Sequence, residues 1–511
     1  MFYAHCDDRE TIFDDTTSIP ESIFNSMAVD CPVMAPPDTE AETGRTVEGR
    51  APEIEPTVET DEATLTGDSE LERTLGLTGG LAIGIGTMIG AGIFVFPGLA
   101  GAEVGTAAAA SFAVGGVIAL FVALPTSELA TAMPKSGGGY YFISRGLGTP
   151  PGTIIGLSLS LGLVFATAFY LVGLGFYPLD ALAEVGITIS ANPGAIVSVI
   201  AVLSGIGFTV LNVTGTENAA KLQNAIVALL LSMLTVFLAF GMAESLGFVD
   251  ADTPPGEATN VWSIGPVMSV AALVFTSYLG FAQVATVAGE MKNPGRNLPL
   301  AMIGSVLIVT IMYVLTIFVA TSVFTQDRLA LEGETAMVAV GRQLLGTPGA
   351  LVIIAGGLLA TMSSANASIL STSRAIYGVS KDALLPGWAS RINLNYGTPH
   401  VALGMAGGPV VVLAATREVQ LLAEVASFLH LIMYGLMCVA LVAICRDRPE
   451  WYDPDFRVPG GPVIPLIGAI ASFGLITVMN PLSILVGLGV IVVTSGWYFY
   501  YARDITLKGA L

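Results

Sequence analysis

The residues with the clearest capacity for binding chemistry are glycines that interrupt an apolar segment. Four glycines lie between Gly84 and Gly92, and Pro97 follows shortly after them. Because each glycine weakens a helix by about 1 kcal/mol relative to alanine, we expect the backbone to unwind at Ile89–Gly92 and a second half-helix to begin near Ile93. The N–H groups that open a helix attract anions, so this break predicts a carboxylate site. Close helix packing through small residues is the alternative interpretation.

A second interruption lies in a later apolar segment. The stretch Phe275–Phe281 contains three polar side chains together with Gly280. Carbonyl groups freed near Phe275–Tyr278 would accept hydrogen bonds from an ammonium group. Glycine-interrupted segments at corresponding positions of two halves indicate the binding site of a transporter. A carboxylate site that faces an ammonium site predicts an α-amino acid as the ligand, held without covalent chemistry, so we do not expect an enzyme.

The elements that carry these breaks are apolar segments of about 20 residues, the length that spans a bilayer. They predict an all-α membrane protein with about twelve transmembrane helices. The predicted spans are 77–100, 107–131, 151–178, 194–213, 218–246, 265–291, 298–323, 349–378, 400–416, 419–445, 463–480 and 482–502. With both termini in the cytoplasm, the inner loops and C-terminus carry thirteen lysines and arginines and the outer loops carry three. This bias predicts the orientation of the chain in the cell membrane.

Composition separates this membrane region from an acidic segment. Charged residues make up 12% of the chain and its mean hydropathy is +0.75, whereas a soluble protein carries about 25% charged residues. Residues 1–73 hold 19 of the 40 acidic residues and 4 of the 20 basic ones, which predicts a disordered cytoplasmic tail. A basic patch for nucleic acid is absent, and the four cysteines lack the spacing of a metal site. We therefore expect no nucleic acid partner, metal or cofactor.

Five stretches, in order along the chain, resemble the amino acid–polyamine–organocation (APC) superfamily of permeases. They are GIGTMIGAGIFVFPG (84–98), ELATAMPKSGGGYYFISRGLG (128–148), GFAQVATVAGEMKNPGRNLPLA (280–301), SSANASILSTSRAIYGVSKDALLP (363–386) and FRVPGGPVIPLIG (456–468). The resemblance implies the LeuT-like fold, in which two inverted five-helix repeats and two further helices include discontinuous helices 1 and 6. It divides a permease domain at 74–503 into repeat one at 77–246, repeat two at 265–445 and extra helices at 463–502, before a short cytoplasmic C-terminus at 504–511.

The resemblance also implies where the substrate binds, because the two breaks hold the backbone of the substrate in that family. The candidate contacts are Ile89, Gly90, Ala91, Gly92, Ile93, Phe275, Thr276, Ser277, Tyr278 and Leu279. The expected function is secondary transport of a small-molecule amino acid across the lipid bilayer by alternating access. The alternatives are an amino acid sensor that does not transport and an exchanger of cationic amino acids or polyamines.

Two departures from the family pattern bear on substrate and coupling. Many relatives have an acidic residue after the Gly-Phe of the second break, where this chain has Ala282. A cationic substrate would need a buried carboxylate, so a neutral, zwitterionic amino acid is favoured; the acid Glu424 lies near the outer end of span 10. Some proton-coupled relatives carry a lysine where this chain has Leu230, so that proton mechanism is not expected.

Hydroxyl and carbonyl groups near the first break form a candidate ion site. Two serines and an alanine share one face of span 8, and with two carbonyls of span 1 they resemble the sodium site of LeuT-like symporters. The candidate ligands are Gly86, Ile89, Ala360, Ser363 and Ser364. Helix packing by the two serines is the alternative.

His430 in span 10 is a candidate proton relay, because an ionisable side chain inside a membrane segment often has a function. The alternative is a neutral histidine bonded to a neighbouring hydroxyl. Coupling to Na⁺, coupling to H⁺ and exchange therefore stay open at this point, as does the oligomeric state.

Overall fold

The computed structural model describes residues 73, 75–134, 138–187, 192–214, 219–248, 263–393, 396–503 and 505. The predicted acidic tail lies outside the described residues except for residue 73, and the predicted C-terminal segment lies outside them except for residue 505. Within the described part, the chain forms helices and two isolated β-bridges. The expected all-helical fold is confirmed.

Sixteen α-helices follow one another along the described residues. The first seven are α1 (Leu77–Met88), α2 (Gly92–Val104), α3 (Ala108–Ala132), α4 (Gly138–Leu147), α5 (Thr149–Glu184), α6 (Pro193–Thr214) and α7 (Ala219–Ser245). The next seven are α8 (Ile264–Val274), α9 (Phe281–Thr286), α10 (Pro294–Val323), α11 (Gln326–Glu332), α12 (Ala336–Lys381), α13 (His400–Ala414) and α14 (Val419–Asp447). The last two are α15 (Val463–Ile476) and α16 (Pro481–Trp497).

Proline, asparagine and glycine set several helix boundaries. Pro294 and Pro481 occupy the first turn of α10 and α16, where the missing N–H costs no hydrogen bond. Asn480 caps α16, since its side-chain oxygen accepts a hydrogen bond from the N–H of Leu482 at 3.0 Å. The long helix α12 is bent at Gly346, whose φ is +67°, a conformation that favours glycine. The segment after this bend corresponds to the predicted eighth span.

Nine helical segments of the described chain are long and apolar enough to cross a membrane. Three further apolar helices of the described chain, α1, α13 and α15, are shorter. The predicted ninth and eleventh spans are short, and they correspond to α13 and α15. The third predicted span ends at residue 178, whereas α5 continues to Glu184, because no strong stop signal follows Pro178.

The helices divide into an inner and an outer group. Helix α5 packs against α12 and α14, and α10 packs against α3, so these helices surround the centre of the bundle. The outer helices α6 and α16 expose large apolar side chains to the surroundings, among them Leu203, Val210, Leu485, Val492 and Val493. An apolar exterior of this kind suits contact with lipid, which cannot satisfy exposed polar groups.

Candidate substrate site at two helix breaks

The first break lies between α1 and α2. Helix α1 ends at Met88, Ile89 leaves the helical region with ψ of 79°, and α2 begins at Gly92. The predicted break at Ile89–Gly92 therefore occurs, and the second half-helix begins one residue before the predicted Ile93. All five residues from Ile89 to Ile93 are buried.

Glycine is required at the first break because other helices approach its backbone closely. A methyl group added at Gly90 would lie 2.8 Å from both Ser364 Oγ and Tyr170 Cε1. A methyl group at Gly92 would overlap the hydroxyl of Ser277. Close helix packing was the alternative interpretation of these glycines. The same residues both form the break and allow close packing.

The second break lies between α8 and α9. Helix α8 ends at Val274, a 3₁₀ turn covers Phe275–Tyr278, and α9 begins at Phe281. This second break lies where it was predicted. Its backbone is not fully unwound, because Phe275 and Leu279 keep right-handed helical angles. The tighter winding of a 3₁₀ turn changes the hydrogen-bond pattern from that of an α-helix.

The two breaks meet in the buried centre of the bundle. Ser277 lies against Gly92, and the hydroxyl of Thr87 donates to the carbonyl of Gly280 at 3.1 Å. The hydroxyl of Tyr313, on α10, donates to the carbonyl of Met88 at 2.7 Å and lies 3.5 Å from that of Ser277. One tyrosine therefore bonds to both breaks.

Ser277 points into the start of α2 and is only 2% exposed. Its Oγ makes no hydrogen bond of normal geometry, and its side chain interacts with the hydroxyl of Tyr313.

The N–H groups of Phe94 and Val95 bond to the carbonyl of Ala91. The N–H groups that open α2 without a partner in their own helix are therefore those of Gly92 and Ile93. A hydroxyl and backbone N–H groups that converge at a helix N-terminus can bind a carboxylate.

The other hydroxyl groups of the second break point elsewhere. The hydroxyl of Thr276 donates to the carbonyl of Ala423 on α14 at 2.5 Å and contacts Ser427. The hydroxyl of Tyr278 donates to the carbonyl of Phe112 on α3 at 2.8 Å. These two predicted site residues therefore anchor the break to its neighbours, and only their backbone remains for a ligand.

The carbonyl of Leu279 accepts a hydrogen bond from a side chain that was not among the predicted site residues. Tyr434 on α14 is fully buried and donates to this carbonyl at 3.0 Å. Tyr313, which bonds to the carbonyl of Met88, was not among the predicted site residues either. The available signal was a tyrosine in the middle of an apolar helix, because a buried phenol needs a partner for its hydroxyl.

The predicted ion ligands lie where α12 passes the end of α1. Ser363, Ser364 and Ala360 are buried, and the hydroxyl of Ser364 donates to the carbonyl of Gly86 at 3.4 Å. The structure thus brings Ser364 and Gly86 together. Ile89 is also fully buried beside this contact, at the end of the same helix.

His430 is buried on α14, one turn before Tyr434, and its ring centroid lies 6.1 Å from that of Tyr434. Its Nδ1 is 2.8 Å from the carbonyl of Ala426, so the partner is a backbone carbonyl rather than the neighbouring hydroxyl of the alternative interpretation. A methyl group added at Gly162 would lie 3.2 Å from this ring. His430 on α14 therefore packs against α5, and among the described residues its hydrogen bond goes to Ala426 and not to either break.

Acidic side chains at the ends of α3 and α12 bind hydroxyl and N–H groups. Glu128 accepts hydrogen bonds from the hydroxyl of Tyr452 and, at 2.7 Å, from the N–H of Val458. Asp382 accepts one from the hydroxyl of Tyr140 at 2.8 Å. Burial and the adjacent Glu128 carboxylate raise the pKa of the Tyr452 phenol above its usual value. The Glu128 contacts fasten the loop before α15 to the end of α3, and the Asp382 contact joins the end of α12 to α4.

Two broken helices that meet in the buried centre of an apolar helical bundle are typical of membrane transport proteins. A family model described as amino acid permease matches residues 75–507. The chain therefore belongs to the amino acid permease family and is a multi-pass membrane transporter of amino acids rather than an enzyme. The expected family resemblance is confirmed.

Individual relatives cover most of the chain. The branched-chain amino acid permease BcaP of Bacillus subtilis is 29% identical over 459 residues, which cover 86% of this chain and 95% of the relative. The serine/threonine exchanger SteT of the same species is 27% identical over 434 residues, or 83% and 96% of the two chains. The vacuolar cationic amino acid transporter 4 of Arabidopsis thaliana is 27% identical over 405 residues, or 76% and 65%.

Proposed function

We propose that the protein transports neutral, zwitterionic amino acids by alternating access and holds the substrate backbone between the two breaks. The observation that carries the proposal is the contact between Ser277 and the start of α2, since a buried hydroxyl that makes no hydrogen bond of normal geometry faces N–H groups there. The substrate carboxylate would bind at Gly90–Ile93, and the ammonium group would bind carbonyls of Phe275–Leu279. Ile89 completes the first half of the site.

The preference for a neutral side chain rests on where the acidic residues lie. Among the described residues, the buried acids are Glu128 and Glu424. Glu128 is bound to Tyr452, and Glu424 accepts a hydrogen bond from Gln420 at 3.0 Å. Within the described residues no hydrogen bond joins either buried carboxylate to the two breaks, and a cationic side chain without a bonded acid would be costly to bury. The names of BcaP and SteT also specify amino acids with neutral side chains.

The proposed topology has twelve spans, with α1–α2 and α8–α9 each counted as one discontinuous span. Repeat one at 77–246 and repeat two at 265–445 would be inverted copies, followed by extra helices at 463–502. The corresponding positions of the two breaks support this arrangement. Both termini, and hence the acidic segment 1–73 and the segment 504–511, would lie in the cytoplasm at the plasma membrane.

The proposed coupling ion is Na⁺, bound by carbonyls of Gly86, Ile89 and Ala360 and by the hydroxyls of Ser363 and Ser364. The contact between Ser364 and Gly86 supports the proposal, because it puts two candidate oxygen ligands together. His430 is the candidate relay if H⁺ is the coupling ion instead. Replacement His430→Gln would then change the pH profile of uptake, and an unchanged profile would exclude the relay.

The proposal is tested by uptake of a labelled mixture of neutral amino acids into proteoliposomes at high salt. An inward Na⁺ gradient, an inward H⁺ gradient and unlabelled amino acid inside the vesicles are compared. Gly92→Val should abolish uptake, because the added side chain overlaps Ser277. The matched control is Gly207→Val on α6, where a methyl group would meet nothing within 4 Å.

Each outcome of this experiment has a different consequence. Uptake by the wild type that is lost in Gly92→Val and kept in Gly207→Val would support the site. Equal uptake by both variants would contradict the assignment of the first break. Binding of amino acid without flux under any gradient would indicate the sensor and reject the transporter.

A further inference from the structure

Helix α1, which precedes the first break, packs against the chain that follows the second break. At the end of α1, a methyl group added at Gly280 would lie 2.5 Å from the backbone nitrogen of Met88. Near the start of α1, a methyl group added at Gly80 would lie 2.8 Å from Met291 Cε and 2.9 Å from Ala301 Cβ. Glycine at these positions permits the close approach, so the two segments are in contact at both ends of α1.

Main-chain hydrogen bonds complete this contact just before α1 begins. The N–H of Leu75 donates to the carbonyl of Glu290 at 2.9 Å, and the N–H of Lys292 donates to the carbonyl of Leu75 at 2.7 Å. Leu75 and Met291 thus form a parallel β-bridge, and Met291 is fully buried. Both distances lie in the usual range for N–H···O bonds. Two main-chain bonds therefore fasten the start of α1 to the segment between α9 and α10.

Two hydrogen bonds that join the same helices to α12 are longer. The hydroxyl of Ser371 donates to Oε1 of Gln283, on α9, at 3.3 Å, and that of Ser364 donates to the carbonyl of Gly86, on α1, at 3.4 Å. O–H···O bonds are usually no longer than about 3.0 Å. Gln283 and Ser371 are also partly exposed, so water can replace their bond when it breaks. These contacts with α12 therefore separate more easily than the β-bridge does.

We infer that α1 and α9 move as one unit during transport, and that the path from the site to the cytoplasm opens between this unit and α12, with Gln283 and Ser371 as the gate pair. The inference rests on the proposed function and specifies how that same site opens. Gln283 and Ser371 act as positioning residues, since they hold the unit against α12. The bridge Leu75–Met291 stays closed throughout the cycle.

The alternative motion is that α1 bends away alone, because the helix is interrupted at Ile89. Such a motion would break both hydrogen bonds of the bridge Leu75–Met291 and withdraw Met88 from Gly280. A covalent link at the bridge distinguishes the two motions, because it prevents α1 from moving alone and still permits α1 and α9 to move together.

The test compares a link at the bridge with a link at the gate pair, both in the full chain. Neighbouring strands lie about 4.8 Å apart, a separation that a disulfide can span. Leu75→Cys with Met291→Cys is therefore oxidised with copper phenanthroline, and Gln283→Cys with Ser371→Cys is treated with a short bismethanethiosulfonate. Both reactions are carried out in detergent before reconstitution, verified by peptide mass spectrometry and reversed with dithiothreitol.

A second pair at the bridge is used so that poor folding of the first still leaves a decisive variant. It is Gly76→Cys with Lys292→Cys, since a methyl group at Gly76 would meet nothing within 4 Å and Lys292 is exposed. The matched controls are the single-cysteine variants, which undergo the same treatment and cannot form the link. Uptake by each double variant before the reaction shows that it has folded.

The probe is a labelled mixture of leucine, isoleucine, valine, serine and threonine, taken up by vesicles preloaded with the unlabelled mixture and with equal Na⁺ on both sides. A link at the bridge should leave uptake within about twofold of the unlinked variant, because the unit moves as a whole. A link at the gate pair should lower uptake about tenfold or more, because the path cannot open. Dithiothreitol should restore it.

Two results would overturn the inference. A loss of uptake on linking either bridge pair, restored by dithiothreitol, would show that α1 leaves the segment after α9 during transport. Unchanged uptake with a complete link at the gate pair would show that the path opens elsewhere. An absence of uptake by the wild type would reject the proposed function itself, and the inference with it, which distinguishes that failure from the other two.

Discussion

The two breaks interrupt their helices in different ways. At the first break the backbone leaves the helical region at Ile89 and a new helix begins at Gly92, so N–H groups open towards the centre. At the second break the backbone stays right-handed through the 3₁₀ turn Phe275–Tyr278, and Ser277 contributes a side-chain hydroxyl. Their chemistry is therefore complementary, since one break supplies backbone donors and the other supplies a hydroxyl and carbonyls.

The side chains at each break account for the difference. The first break is rich in glycine, which permits Ser364, Tyr170 and Ser277 to approach its backbone. The second break is anchored by Tyr278 to α3 and by Thr276 to α14. Anchors on two sides keep that segment wound, so a conformational change of the site is expected to involve the first break more than the second.

The largest effect is expected where the two breaks touch through backbone atoms. A methyl group added by Gly280→Ala would lie 2.5 Å from the backbone nitrogen of Met88. Because backbone cannot rotate away, overpacking should cost about 3 kcal/mol or more, and uptake should fall about a hundredfold. Gly90→Ala, whose methyl group would have side-chain atoms of Ser364 and Tyr170 as its nearest neighbours, should have a smaller effect. Initial rates of uptake in proteoliposomes measure both.

The control for this pair is Gly207→Ala, where a methyl group would meet nothing within 4 Å. Elution of each variant as a monodisperse species in detergent shows that it has folded. Wild-type uptake by Gly280→Ala would mean that α1 and α9 separate freely, and the close approach of the two breaks would then have no functional importance.

A second prediction concerns the hydroxyl of Ser277. If it binds the substrate carboxylate, Ser277→Ala should weaken amino acid affinity about 10- to 100-fold, the loss expected for a hydrogen bond to a charged group. The free energy of unfolding should change little, because Ser277 Oγ makes no hydrogen bond of normal geometry within the protein. Calorimetric titration of the purified protein with amino acid measures the affinity. Unchanged affinity would remove Ser277 from the site.

A third prediction separates ion binding from helix packing at α12. Replacement of Ser363 and Ser364 together by alanine removes two hydroxyl groups from the candidate Na⁺ site. Accumulation driven by an inward Na⁺ gradient should be lost, while exchange into preloaded vesicles should remain within about twofold, because the breaks themselves are unchanged. Persistence of full Na⁺ dependence would assign the serines to packing, where small residues allow close contact.

Both breaks were predictable from sequence to within a residue or two, because clustered glycines and polar residues weaken an apolar helix at the place where they occur. The form of the second break was not predictable, since its winding depends on Phe112 and Ala423, which are distant in sequence. The roles of Tyr313 and Tyr434 were missed for the same reason: a tyrosine in an apolar helix does not reveal which carbonyl it will reach.

The smallest expected effect concerns the anchor beside Ser277. Thr276→Val removes the hydrogen bond to the carbonyl of Ala423 and keeps a β-branched side chain. It should lower the free energy of unfolding by about 1 kcal/mol and leave amino acid affinity unchanged, because the hydroxyl points towards α14. Denaturant unfolding in detergent and calorimetric titration measure the two quantities. The two adjacent hydroxyls would thus have different roles: that of Ser277 would affect substrate affinity, and that of Thr276 would affect stability. A Thr276→Val variant that lost affinity without losing stability would contradict this assignment.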